Sequence, residues 1–367
     1  MTNSMDTTDI PGLFAPVRLG SLDLANRLVM APMTRNRATA DGVPTELMAT
    51  YLRPACRRRP YRRRGRHPER GRPDLPEHHR DPPRRHVTSW RRITEAVREA
   101  GGGPMFLQIQ HGGRIGHPDT SGRTPLAPSP IALPEPIHTA AGKQGAVTPR
   151  QMTGDDIRAT IADFAAAARK AIEAGFAGVE VHSANGYLLH QFLAPNTNHR
   201  TDAYGGDIEN RIRFTVEVVE AVAAEIGAER TGLRISPGNT VNGIDEGEET
   251  GVLYRELASV LADRGLAYLH VGFADSASAV WQDLRKLWTG TLIGNPFLPA
   301  GQFPADGGRA AAEAMLAAGA DLVAVGRPFL ANPGLVHRLR TGAPLNAVRD
   351  KYLIYVGGET GYTDYPA

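Results

Sequence analysis

The sequence lacks the features that mark several classes of protein. Its single cysteine, Cys56, excludes an internal disulfide framework and fits a reducing compartment. It has no apolar run of membrane-spanning length, because alanine-rich stretches such as 165–171 are interrupted by charged residues. Residues 1–10 contain Asp6 and Asp9 and no apolar core, so we expect no secretory signal. We therefore expect a cytoplasmic protein that does not enter a membrane.

Two kinds of binding site are also missing from the sequence. His111, His117 and His190 do not stand at metal-ligand spacing from the cysteine, so we expect no metal site and interpret these histidines as structural or pocket residues. Nothing in the chain resembles a separate glycine-rich nicotinamide-binding fold.

The basic character of the chain, with a pI of about 9.1, comes almost entirely from one window. Residues 53–86 hold 13 of the 42 Lys and Arg but 4 of the 39 Asp and Glu, so the remainder has 29 basic and 35 acidic residues. Twenty of these 34 residues are Arg or Pro, without helical or strand periodicity, which predicts disorder for the window taken alone. Such a run could bind nucleic acid electrostatically, but a charge run is more often a solvated segment, so we do not favour this partner.

Short apolar strands alternate with helices along most of the chain, a pattern typical of parallel β-α-β units. Seven strands are predicted to begin at residues 28, 105, 178, 232, 267, 291 and 322. Helices are predicted over 45–52, 87–100, 155–174, 209–226, 254–264 and 310–318, and a long excursion over 112–150. A (β/α)8 barrel needs eight strands, and the missing second strand falls inside 53–86. We therefore predict a single α/β domain over 1–367, a TIM barrel with an N-terminal hairpin whose second strand is replaced or disrupted.

Candidate chemistry is concentrated around the end of the fourth expected strand. The apolar run 178–181 predicts a buried strand, and Gly186 lets the chain turn after it. His182 and Asn185 therefore emerge where the strand gives way to a loop, with the phenol of Tyr187 two residues further on. Such a cluster could hold an oxygen from one side and offer a proton from another. The alternative is a capped strand with a structural tyrosine.

Other polar residues follow the remaining predicted strands, and in a barrel they would all face the catalytic rim. They are Thr34, Gln108, His111, Arg234 and the pairs Gly301-Gln302 and Gly326-Arg327. Glycine allows backbone N–H groups to approach an anion, and arginine adds a charged fork, so the two pairs are candidates for phosphate binding. A glycine turn beside a surface arginine is the alternative for Gly326-Arg327.

Three motifs make the chain similar to the Old Yellow Enzyme family of FMN-dependent ene-reductases. They are His182-Ser183-Ala184-Asn185-Gly186-Tyr187, the stretch 198–211 and the C-terminal stretch 359–366. The resemblance covers 11–52 and 87–367. It implies an NAD(P)H-dependent flavin oxidoreductase that reduces activated C=C bonds of enones or nitro compounds. NAD(P)H and substrate would then use one site over the flavin in alternating half-reactions.

The resemblance also implies roles for individual residues. Pro32, Met33 and Thr34 would border the isoalloxazine ring, Gln108 would bond its edge, Arg234 would place positive charge near N1, and the phosphate would be held by Gly301, Gln302, Gly326 and Arg327. His182 and Asn185 would bind the substrate oxygen, Tyr187 would deliver a proton opposite the hydride, and Tyr355 would line the pocket. A homo-oligomer is compatible with the sequence.

Members of the family carry a strand and a flavin-contacting small residue where this chain has 53–86. We hypothesise two compensating frameshifts, near Leu52 and His86, which preserve the length of the segment and change its character. A barrel without one strand leaves two unpaired edges, so we expect the chain to fold poorly or to hold FMN weakly. A catalytically impaired remnant and another FMN barrel oxidoreductase are the alternatives.

Overall fold

The computed structural model describes residues 12–53, 82–139, 142–298, 304–349, 353 and 355–366. The predictions made for Gly301, Gln302 and the lost second strand lie outside these residues.

The described chain begins with a short hairpin. Strands β1 (Val17–Leu19) and β2 (Leu22–Leu24) pair antiparallel across a tight turn. Gly20 has φ +56° there, a conformation that favours glycine. Leu19 belongs to a buried apolar cluster that also contains Tyr268 and Leu322. The hairpin therefore packs against the barrel strands, and its prediction is confirmed.

Strands and helices then alternate along the chain. The remaining strands are β3 (Leu28–Met30), β4 (Phe106–Ile109), β5 (Leu126–Ala127), β6 (Ile137–Thr139), β7 (Gly142–Gln144), β8 (Arg150–Gln151), β9 (Gly178–Ser183), β10 (Thr231–Ile235), β11 (Tyr268–Ala274), β12 (Leu292–Pro296) and β13 (Leu322–Val325). The helices are α1 (Glu46–Leu52), α2 (Pro82–Glu99), α3 (Pro118–Ser121), α4 (Gly154–Glu173), α5 (Leu188–Leu193), α6 (Ile208–Ile226), α7 (Thr250–Leu261), α8 (Ala279–Leu287), α9 (Arg309–Ala317), α10 (Arg327–Ala331) and α11 (Leu335–Thr341).

Within the described part of the chain, seven strands form one parallel sheet in the order β3-β13-β12-β11-β10-β9-β4. They are the seven strands that the sequence predicts, each beginning within one residue of its expected start. The fold is thus an α/β fold of the (β/α)8 TIM-barrel type. The edge strands of this sheet, as far as the described residues show it, are β3 and β4, and α1, residues 54–81 and α2 lie between them in the sequence. The disruption of the second strand stays a prediction.

Alternation along each strand separates an apolar face from a polar one. Val179 and Val181 of β9 lie in the main core with Phe164 of α4, whereas Glu180 and His182 point to the opposite side of the sheet. The same alternation occurs in β10 and β11, where apolar residues face the helices and Arg234 and His270 face inward. The barrel interior therefore receives a layer of buried polar side chains.

Helix α4 shows how local sequence sets the element boundaries. The Thr153 hydroxyl accepts a bond from the Asp156 N–H, and the Asp156 carboxylate accepts one from the Thr153 N–H, which forms a capping box. The helix ends before Gly175, whose φ of +87° suits only a residue without a side chain. Both ends agree with the predicted helix.

Two predicted boundaries need correction. Helix α2 begins at Pro82 rather than at residue 87, because proline is tolerated in the first turn of a helix, and this shortens the anomalous window at its C-terminal end. Helix α7 begins four residues before the predicted start at 254. The expected excursion at 112–150 contains short strands and turns of its own. No helix among the described residues is long and apolar enough to cross a membrane.

Candidate active site

The polar layer and the catalytic candidates meet at the carboxyl ends of the parallel strands. The register places Arg234 of β10 opposite both His182 of β9 and His270 of β11. Gln108 of β4 stands opposite Glu180 of β9. The His182, Arg234 and His270 side chains are each at most 5% exposed, so their interactions take place largely out of water.

A turn with positive φ angles carries Asn185 and leads to Tyr187. Asn185 has φ +56° and Gly186 has φ +75°, both in the left-handed region, which asparagine tolerates better than most residues. The Asn185 N–H donates to the Ser236 hydroxyl at 2.9 Å, and Asn242 Nδ2 donates to the Asn185 carbonyl at 2.7 Å. A Cβ atom at Gly186 would lie 2.6 Å from Asn242 Cβ. The loop after β10 therefore fixes this turn.

The turn brings the phenol over the histidine. The ring centroids of Tyr187 and His182 are 5.1 Å apart, with the rings inclined at 50°. Burial, followed by the neighbouring Tyr355 phenol, raises the pKa of Tyr187 above its ordinary value. Tyr355 is itself half-exposed. The structure therefore brings together His182, Asn185, Tyr187 and Tyr355.

His182 is held as a neutral donor. Burial and then the charge of Arg234 lower the pKa of its imidazole to about 3. Gln108 Nε2 lies 3.2 Å from Nδ1 of His182 and 2.8 Å from Oε1 of Glu180, so one amide NH2 group can serve both acceptors. Because Nδ1 accepts this bond, we assign the ring proton to Nε2. Nε2–H is then free of the Gln108 contact.

Arg234 supplies a buried positive charge beside the donors. Its Nη2 donates to Asn295 Oδ1 at 2.8 Å, and its Nη1 lies 2.5 Å from His270 Nε2. A Cβ atom at Gly272 would lie 2.9 Å from the guanidinium, so the glycine leaves room for it. Asn295 in turn donates to the Ala324 carbonyl of β13 at 3.0 Å. Polar contacts thus run across the sheet from Arg234 toward β13.

The end of β13 adjoins the segment that follows β3. The Ala31 N–H donates to the Val325 carbonyl at 3.0 Å, and a Cβ atom at Gly326 would lie 3.0 Å from Met33 Sδ. Pro32 and Thr34 flank Met33, and the Thr34 side chain is exposed. Arg327 begins α10 and donates to the Leu298 carbonyl. These residues lie at the same end of the barrel as His182.

The residues present fit a flavin mononucleotide. Asn185 Oδ1 is buried and has no hydrogen-bond partner within the described part of the chain, which leaves the amide to a ligand. The buried guanidinium of Arg234 suits a ring that gains negative charge on reduction. A group of three or more His, Cys, Asp or Glu side chains that could hold a metal ion does not occur among the described residues.

Sequence reasoning missed Glu180, His270 and Asn295. Glu180 and His270 are ionisable residues inside runs that were interpreted as apolar strands. Each stands two positions from another residue that faces inward. The available signal was a charged residue two positions from a catalytic candidate, because such a spacing places both side chains on one face of a strand.

The three histidines that were predicted to be structural or pocket residues are buried or half-buried and have backbone partners. Nδ1 of His111, His117 and His190 accepts from the N–H groups of Gly113, Asp119 and Gly186.

A (β/α)8 barrel with buried donors, a phenol and a guanidinium at its carboxyl-end rim is the architecture of a barrel oxidoreductase. The chain belongs to the NADH:flavin oxidoreductase / NADH oxidase family, whose sequence model matches residues 12–59 and 78–346. The predicted membership of the Old Yellow Enzyme family is thereby confirmed.

Relatives match over nearly their whole lengths. A "probable flavin mononucleotide-dependent alkene reductase" of Leishmania infantum is 38% identical over 99% of this chain and 99% of its own. The 12-oxophytodienoate reductase 2 of Arabidopsis thaliana is 34% identical over 100% of this chain and 98% of its own. Among solved structures, an old yellow enzyme homologue from Zymomonas mobilis has a TM-score of 0.83 at 35% identity, covering 97% of this chain and 100% of its own. Morphinone reductase in complex with tetrahydroNAD has a TM-score of 0.80 at 37% identity, covering 97% of both chains.

Proposed function

We propose that the protein is an FMN-dependent NAD(P)H oxidoreductase that reduces the activated C=C bond of enones, and nitro compounds as a second substrate class. The observation that carries this proposal is the meeting of a neutral His182, a turn-presented Asn185 and the Tyr187 phenol at the rim that also holds Arg234. Bound FMN would supply the redox chemistry, taking a hydride from NAD(P)H and giving one to the substrate.

The cofactor site that we propose combines residues from several strand ends. It consists of Pro32, Met33, Thr34, Gln108, Arg234, Gly301, Gln302, Gly326 and Arg327, of which Gly301 and Gln302 lie outside the described residues. The Arg234 guanidinium would stabilise negative charge on the ring, and Gly326 and Arg327 would bind the phosphate.

His182 and Asn185 would hold the substrate oxygen. Nε2–H of His182 is free of the Gln108 contact, and the Asn185 side chain, whose Oδ1 has no partner among the described residues, would turn its NH2 group toward the same oxygen. Two donors directed at one oxygen stabilise the negative charge that grows there when hydride reaches the β-carbon. The carbon next to the carbonyl then needs a proton.

Tyr187 would deliver that proton. Its raised pKa keeps the phenol protonated throughout the neutral range, so the O–H is available as a general acid. Tyr355 lies close enough to affect the ionisation of Tyr187 and would line the pocket beside it. The nicotinamide would use the same site, and morphinone reductase has been crystallised with a nicotinamide analogue.

One observation favours a second candidate. The family model leaves residues 60–77 unmatched, inside the Arg- and Pro-rich window. A catalytically impaired protein that holds FMN weakly would follow if the second barrel strand is lost. Binding of nucleic acid by this window is the less favoured outcome.

We also propose a cytoplasmic location, which the single cysteine supports.

The test of function starts from protein purified with added FMN under anaerobic conditions. NADPH or NADH should bleach the flavin absorbance, and 2-cyclohexenone should restore it. Bound flavin that no nicotinamide bleaches, or that the enone does not reoxidise, would contradict the proposal.

A further inference from the structure

One buried carboxylate, Glu180, contacts both Gln108 of β4 and His270 of β11. It is 5% exposed and lies two residues before His182 on the same face of β9. Its Oε1 accepts from Gln108 Nε2 at 2.8 Å, and its Oε2 accepts from His270 Nδ1 at 2.8 Å. The mechanism described above does not use it.

The first contact of Glu180 fixes the orientation of an amide. A carboxylate accepts and cannot donate, so the Gln108 side chain must turn its NH2 group toward Oε1. The second hydrogen of that NH2 group then faces Nδ1 of His182 at 3.2 Å. Glu180 thus sets the tautomer of His182 through Gln108, although it does not touch His182.

The second contact reaches the guanidinium. With Nδ1–H of His270 donating to Glu180, Nε2 of His270 carries a lone pair that can accept from Arg234 Nη1 at 2.5 Å. Gln108 and His270 therefore both donate to one carboxylate, and Arg234 is linked to it through His270. Burial alone would raise the pKa of Glu180, but His270, Arg234 and Gln108 together lower it to about 2, so the carboxylate is ionised.

We infer that Glu180 is a positioning residue that holds His182 as the Nε2–H tautomer through Gln108 and orients Arg234 through His270. The inference rests on the proposed function in one respect, the use of the Nε2–H group to bind a substrate oxygen. The hydrogen bonds themselves exist without substrate.

An isosteric Glu180→Gln substitution separates this inference from a purely structural role. The new amide can accept at only one end, so its NH2 group must face either Gln108 or His270, each of which already presents a donor. A flip of Gln108 would present its oxygen to His182 and move the ring proton to Nδ1. The loss of the anion would also leave the Arg234 charge less compensated and favour a negatively charged reduced flavin.

The experiment measures the tautomer and the flavin midpoint potential together. Nitrogen-15 spectra of histidine-labelled protein distinguish Nε2–H, Nδ1–H and doubly protonated imidazole, and a spectroelectrochemical titration gives the potential of bound FMN. The matched control is Glu217→Gln. Glu217 lies on the outer helix α6 and, like Glu180, accepts a side-chain hydrogen bond, in its case from the Tyr204 phenol.

We expect neutral Nε2–H at His182 in the wild type and in Glu217→Gln. In Glu180→Gln we expect a shift toward Nδ1–H and a more positive midpoint potential. A wild-type His182 that is Nδ1–H or cationic would overturn the inference, as would a Glu180→Gln protein that matches the control in both readouts. If Glu180→Gln does not fold, Gln108→Leu breaks the same link, and a His182 tautomer unchanged in that variant would also overturn it. The tautomer is read without reductant or substrate, so failure of NADPH to bleach the flavin would count against the proposed function alone.

Discussion

The backbone N–H of Gly186 donates a hydrogen bond of 3.0 Å to Nδ1 of the buried His190. Because Nδ1 accepts, the ring proton lies on Nε2, which donates to Glu246 at 2.7 Å. The Glu246 carboxylate also accepts from the Gly238 N–H at 2.7 Å, so the loop after β10 and helix α5 clamp the turn that presents Asn185.

A His190→Leu substitution should therefore impair catalysis without touching the substrate. Loss of the Gly186 bond would let the Asn185 turn move, and a displacement of about 1 Å can cost roughly 100-fold in rate. We expect kcat/KM for an enone to fall about 10- to 100-fold, with the FMN dissociation constant little changed. His138→Leu, at an exposed position on β6, is the control. Equal kinetics in both variants would rule out this role.

Tyr187→Phe should separate the two half-reactions. Removal of the phenolic proton donor should slow enone reduction by about 100- to 10,000-fold, the usual contribution of general acid catalysis. Flavin reduction by NADPH needs no such proton and should stay within a few-fold of wild type. Stopped-flow absorbance measures both rates, and Tyr204→Phe, whose hydroxyl contacts Glu217, is the control. A slowed reduction by NADPH with unchanged enone reduction would be incompatible with the proton-donor role.

Acid stability should depend on His182. Its folded pKa of about 3 lies below the ordinary value of 6.5, so between these pH values the unfolded chain binds a proton that the folded chain refuses. The free energy of unfolding should consequently fall as pH drops from 6.5 toward 3, by at most about 1.4 kcal/mol per pH unit, and should be unaffected above 6.5.

Urea unfolding of wild type and His182→Asn at pH 7, 6, 5 and 4 tests this expectation. The variant should lose less stability toward low pH, while carboxylates remote from His182 contribute equally to both proteins and cancel. Parallel curves for the two proteins would mean that folding does not lower the pKa of His182.

The segment 53–86 should limit cofactor binding. Replacing it by the translation of the alternative reading frame should restore an apolar strand between β3 and β4 and lower the FMN dissociation constant at least 10-fold. Fluorescence quenching of FMN on titration measures this constant for both proteins. Stoichiometric, tightly bound flavin in the unaltered chain would contradict the expectation, and an alternative frame without an apolar strand would remove the frameshift hypothesis.

Periodicity made most of the fold predictable. Short, mainly apolar runs next to glycine mark strands such as β9 and β13, and capping residues such as Thr153 mark helix starts. The start of α2 was not predictable in this way, because an Arg- and Pro-rich sequence gives no periodic signal even where a helix forms.

The proximity of His182, Asn185 and Tyr187 could be predicted from their spacing after a strand, since three residues that are close in sequence remain close in space. Contacts between strands could not be found so directly. Glu180 meets Gln108 and His270 across separations of 72 and 90 residues, and only the parallel register brings these side chains together.

The binding of a substrate oxygen by His182 and Asn185 is tested most directly by rapid mixing of the NADPH-reduced protein with 2-cyclohexenone in the absence of oxygen. We expect the wild-type flavin to reoxidise with a saturating dependence on the enone. In the double variant His182→Ala/Asn185→Ala, the apparent dissociation constant of the enone should rise at least 10-fold, with FMN still bound. Wild-type protein that the enone does not reoxidise, or a double variant with an unchanged constant, would contradict the assignment of this site.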